Sequence, residues 1–104
     1  MNEDYPELQQ FLAGYFNEDW VDEHESADDV IKFFISEASS EMLAKVQQEL
    51  KKMIAVDQSE QELQDYLFRN IGCGYYYPHE WKDGWAWLNH VALYLKKQSM
   101  GQTP

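Results

Sequence analysis

The chain has 104 residues, 44% of them hydrophobic and 15% aromatic, which is enough apolar material for one domain with its own core and argues against a disordered chain. Nineteen acidic residues against eight basic ones give a formal charge of −11, a sign that phosphate repels, so direct nucleic-acid binding is disfavoured and a basic protein is the better partner. A single cysteine, Cys73, excludes an internal disulfide, and no apolar run reaches the roughly 20 residues of a membrane span.

The first helix opens at Asp4, read as its N-cap, with Pro6 tolerated in the first turn and Glu7 three positions after the cap. Leu8, Phe11, Leu12, Tyr15 and Phe16 recur at helical spacing and form one apolar face, which Gly14 weakens or ends. Glu18, Asp19, Asp22, Glu23, Glu25, Asp28 and Asp29 then crowd twelve positions without a Lys or Arg. Like charges this close repel, so the run is either a solvated face that aids solubility or a surface kept for a basic partner. Composition alone leaves those two readings level.

Ser26 caps a second helix, with Asp28 and Asp29 matching its positive end, and places Ala27, Val30, Ile31, Phe34, Ile35 and Ala38 on one side. Phe33 lies off that stripe and is expected against a second neighbour. A third helix restarts at Ser39-Ser40, with Leu43, Val46, Leu50, Met53 and Ile54 inward and Lys45, Gln48, Lys51 and Lys52 on the solvated side. Ser59-Glu60-Gln61-Glu62 has the spacing of a capping box for a fourth helix through Leu63, Tyr66, Leu67 and Ile71, stopped by Gly72. Residues 72–83 combine glycines, Pro78 and the aromatics Tyr75, Tyr76, Tyr77 and Trp81, which reads as an anchored loop. Asp83 caps the last helix, whose inward residues are Trp85, Leu88, Val91, Ala92 and Leu95; Trp81 and Trp87 fall off that face and are expected to be exposed.

The predicted architecture is all-α: a single compact domain over residues 1–97, about five helices with an aromatic-rich loop before the last, followed by a disordered tail over 98–104. Phe11, Phe16, Ile31, Phe34, Leu50, Leu67 and Leu88 are the predicted core. The N-terminus, Met1-Asn2-Glu3-Asp4, has neither the positive region nor the apolar stretch of a signal peptide, so the cytoplasm is the expected location and no membrane partner is expected.

Catalytic and metal readings are weak. Cys73, His79 and His90 could in principle supply a nucleophile and a base, but a small residue between two glycines reads more simply as part of a tight turn. Asp22, His24 and Asp28 match no metal-ligand spacing. No catalytic residue, metal or cofactor is expected. Exposed tryptophan and tyrosine suit a protein contact, which makes Trp81 a candidate anchor beside the acidic run.

The run from Tyr5-Pro6-Glu7-Leu8 through Gly14-Tyr15-Phe16 and Asp19-Trp20, with Ile71-Gly72, Tyr77-Pro78 and Asp83-Gly84-Trp85-Ala86-Trp87-Leu88, resembles a bacterial family of contact-dependent growth inhibition immunity proteins. Trp85 and Trp87 make the last of these segments more aromatic than the family's usual polar stretch. The resemblance implies a chain that does no chemistry and binds the C-terminal toxin domain of a cognate effector; from its capped periodic segments the chain is expected to be a monomer before it meets that toxin. Such toxins are often nucleases with basic clefts, so Glu18, Asp19, Asp22, Glu23, Glu25, Asp28, Asp29 and Trp81 are the expected toxin-binding residues. An acidic adaptor or nucleic-acid mimic that blocks a basic host protein is the alternative.

Overall fold

The computed structural model describes residues 4–17 and 19–101, with side chains up to residue 97, and contains no strand among the described residues. Helix α1 (Pro6–Gln9) runs directly into a wider π-helical segment, Gln10–Tyr15. A short α2 (Trp20–Glu23) precedes α3 (Ala27–Glu37) and α4 (Ser40–Ile54). Helix α5 (Glu60–Asp65) widens in the same way over Tyr66–Ile71, and a 3-10 turn at Tyr77–His79 leads into α6 (Gly84–Gly101). The tail read from Gln98 onward falls in α6 as far as Gly101 and then outside the described residues.

Local capping explains where most of these helices start. The hydroxyls of Ser26, Ser39 and Ser59 accept from the amides of Asp29, Met42 and Glu62 at 3.2, 3.1 and 3.1 Å. Glu62 returns the contact by accepting from Ser59 N–H at 2.9 Å, which completes the capping box and holds its carboxyl below the usual range. Asp83 accepts from Ala86 N–H at 2.8 Å at the head of α6. Gly72 ends the helical run that begins with α5 in the left-handed region, φ +86°, where a side chain would be strained.

Helix α1 corrects the expected cap. Its N-cap is Tyr5, without a side-chain cap bond, and the amides of Glu7 and Leu8 instead donate to the carboxylate of Glu49, in the middle of α4, at 3.4 and 2.9 Å. The orphan donors of a helix start are thereby satisfied from a neighbouring helix, which also fixes α1 across α4.

All seven predicted core residues are buried, and α4 packs against both α1 and α6 at the centre of the domain. Trp87 is a second correction. Expected to be exposed, it is fully buried, whereas Trp85 is only half-buried. With 100° between successive residues, the inward axis of α6 runs through Gly84, Leu88, Val91 and Leu95, and Trp87 lies slightly nearer to it than Trp85 does. The Trp87 ring stacks on Tyr77 at 5.8 Å and 6°, and meets Tyr75 at 5.0 Å and Phe16 at 5.7 Å. The aromatic loop thus closes over the core rather than facing water, with Tyr76 its exposed exception.

Glu60 locks this hub. Its carboxylate accepts from the Tyr77 hydroxyl at 2.8 Å and from Gly84 N–H at 2.9 Å, tying the start of α5 to the loop and to the start of α6. A Cβ on Gly84 would come within 2.5 Å of Leu63 and 3.0 Å of the Tyr77 hydroxyl, so that helix start admits only glycine without a shift.

Candidate functional site

The exposed part of the acidic run, Asp19, Asp22, Glu23 and Glu25, lies on and beside α2, an element too short to show a period in sequence. Asn17 sets its entry: its side-chain oxygen accepts from Asp19 N–H at 2.9 Å while its amide donates to Gly14 C=O at 2.9 Å. Trp20 then pins the turn to the hub by donating its indole N–H to Gly74 C=O at 3.3 Å and packing edge-on against Phe16 and Tyr75. With Trp20 inward, Asp19, Asp22 and Glu23 face water, as does Glu25 in the following link. Glu18 lies outside the described residues.

Asp28 and Asp29 differ from the rest of the run because they are half-buried at the start of α3. Asp29 serves the cap through its amide, and Asp28 pairs with Nε2 of His90 on α6 at 2.8 Å. The Trp81 ring lies over His90 at 4.8 Å, so Asp28, His90 and Trp81 form one cluster across three parts of the chain. Trp81 is half-buried there rather than freely presented.

The exposed apolar side chains near the run are instead Val21, 62% exposed, and Phe33, 44% exposed. His24 packs against Phe33 at 5.3 Å, and Tyr15 approaches it at 5.9 Å. Phe33 therefore has the second neighbour expected of it, on a ledge next to the acids. Val21 gave no signal in sequence, because a lone valine in a charged stretch belongs to no stripe.

Two lysines, Lys51 and Lys96, line a separate groove of about 510 Å³ between α4 and α6, floored by Ala44 and Ala92. None of the exposed acids of the run makes an ion pair with a lysine or arginine among the described residues; the pairs formed are Lys45 with Glu41 and His90 with Asp28.

The residues considered for chemistry are not assembled. Cys73 is buried, its thiol pushed up to about 12 by desolvation, so it is far from the thiolate a nucleophile needs. His79 packs on Tyr76 and His90 pairs with Asp28; neither hydrogen-bonds Cys73. Among the described residues there is no group of three His, Cys, Asp or Glu side chains that could hold a metal, and no helix long and apolar enough to cross a membrane.

Residues 4–95 match the family of the CdiI immunity protein. The fold is similar to a chain in the crystal structure of a CdiA-CT/CdiI complex from Y. kristensenii 33638, with 32% identity and a TM-score of 0.84, over 93% of this chain and 99% of that one. No functionally curated protein matches the sequence. With the family spanning nearly all of the chain and the whole helical frame shared at that identity, this chain belongs to the CdiI immunity protein family.

Proposed function

We propose that the chain binds the CdiA-CT toxin domain of its cognate effector and holds it inactive in the cytoplasm of the producing cell, and that this toxin domain is a nuclease with a basic substrate surface. The chain acts by occupation and does no chemistry of its own, as a monomer that docks once. The observation that carries this reading is the exposed face of α2, where Asp19, Asp22 and Glu23, with Glu25 beyond them, stand without lysine or arginine partners in a member of this family. Such a row can stand in for phosphates on a basic cleft, speeding encounter toward about 10⁸ to 10⁹ M⁻¹s⁻¹ at low salt. Asp28 and Trp81, joined through His90, are assigned in this reading to the rim of the contact.

The test is kinetic. Asp22→Asn, Glu23→Gln and Glu25→Gln together are expected to slow association with the toxin domain and flatten its salt dependence, with helicity unchanged by circular dichroism. Equal association rates for parent and triple variant at every salt concentration would reduce the run to a solubilising face. Intact RNA or DNA in a cleavage assay with the toxin domain alone would remove the nuclease assignment.

A further inference from the structure

A hollow of about 230 Å³ opens between the π-helical segment after α1, the end of α3 and the start of α4. It is small beside the roughly 300–1,000 Å³ of small-molecule sites, and is sized for a side chain rather than a metabolite. Phe34 floors it, stacked on Phe11 at 4.2 Å, and Tyr15 stands edge-on to Phe34 at 5.0 Å to form an aromatic wall. Glu7 and Glu37 also line it, and no lysine or arginine does. The Tyr15 hydroxyl donates to Oε1 of Glu37 at 2.9 Å, which fixes that carboxylate at the mouth and leaves Oε2 without a partner among the described residues. Neither carboxylate forms an ion pair among the described residues.

Two carboxylates without an ion pair among the described residues, lining one hollow with two aromatic rings, make a receptor for a flat cation. A guanidinium can lie with its plane on one of the two rings, which stand at 76° to each other, while its N–H fork reaches a carboxylate; an ammonium has no flat face to stack in this way. The wall that carries Tyr15 is π-helical, a geometry that recurs at functional sites because the widened turn re-aims its side chains. We infer that this hollow, lined by Glu7, Tyr15, Phe34 and Glu37, receives an arginine side chain presented by the toxin domain. The source of that arginine rests on the immunity reading; the chemistry of the hollow does not. Phe33 touches both Tyr15 of the hollow and His24 at the end of α2, so a basic partner seated on α2 reaches the hollow across it.

Two measurements separate these layers. Arginine amide titrated into the free protein is expected to give saturable NMR shifts at Tyr15, Phe34 and Met42 in the millimolar range, weaker with lysine amide and absent with norvaline amide. Those shifts should disappear in Glu7→Gln/Glu37→Gln, where Tyr15 keeps an acceptor and the fold is preserved. Absence of localised shifts, or equal shifts along α2, would overturn the inference whatever the toxin does. With the toxin domain encoded beside this chain's gene, the same double variant should dissociate roughly 30-fold faster or more, the loss typical of a desolvated charge pair missing one partner. Unchanged dissociation would overturn the assignment of the arginine to the toxin. Failure of the parent chain to bind that toxin domain would overturn the immunity reading and the toxin as source, while the arginine titration still decides the hollow.

Discussion

The aromatic hub and the acidic turn α2 are neighbours joined by Trp20, and they meet opposite fates. Around Trp87 an unusual density of rings is consumed internally: Phe16, Tyr75 and Tyr77 contact the indole, and Glu60 takes up the Tyr77 hydroxyl. On α2 an unusual density of carboxylates remains open to water, with the turn held by Asn17 and by Trp20 at its inner side. Local crowding of one residue type therefore does not separate buried scaffold from open surface. What separates them is whether the groups find partners within the chain.

Breaking the hub should have the largest effect on stability. Trp87→Ala removes a fully buried ring and is expected to cost about 3–5 kcal/mol in denaturant unfolding, a large share of what a domain of this size has. A loss below about 1 kcal/mol would show that Trp87 is not the hub's centre. Glu60→Ala leaves the Tyr77 hydroxyl and Gly84 N–H without their acceptor, and an expected cost of about 1–3 kcal/mol follows. Ser59→Ala, which removes only a cap, should cost about 1 kcal/mol by the same measurement.

The hub should also announce itself at high pH. Burial, then the hydrogen bonds to Glu80 and Glu60, raise the phenols of Tyr75 and Tyr77 above their ordinary value near 10. A raised acid is protonated in the folded chain where the unfolded chain would release its proton, so this stabilising contribution is complete below about pH 10 and lost as pH climbs toward the folded values. Denaturant midpoints should therefore fall from pH 9 to pH 11, and Tyr77→Phe should fall less steeply than the parent. The smallest stability effect belongs to α2: Asp22→Asn, Glu23→Gln and Glu25→Gln should each leave stability within about 0.5 kcal/mol while changing the toxin association rate. A larger stability loss would mean that the run is scaffold, and the comparison would collapse.

Sequence carried the local half of this structure. Ser26, Ser39, Ser59 and Asp83 announce their helices because a cap and its amide lie three residues apart, and the apolar stripes of α3 and α4 name their own buried faces. Contacts across the fold were not legible. Glu49 capping α1 and Glu60 clasping Gly84 join residues 42 and 24 positions apart, and no spacing rule reaches so far. Trp85 and Trp87 sit close to opposite edges of the same helical face, so periodicity alone favoured the wrong one. For the candidate site, the charge of the run was legible but its division was not. Asp28 is drawn to His90, 62 positions away, while the hollow beside Tyr15 needs three helices before it exists.

Gly74 donates its N–H to Phe16 C=O at 2.7 Å, and a Cβ there would come within 2.3 Å of that same oxygen. The two backbones touch like the ends of a clasp, across most of the chain's length. Closing so long a loop is entropically slow and is rewarded only when both ends are already shaped, so the clasp should shut after the helices have formed. In stopped-flow refolding, far-ultraviolet circular dichroism is expected to recover first and the fluorescence change of Trp20 and Trp87 to lag behind it. Gly74→Ala should slow that second phase more than the first.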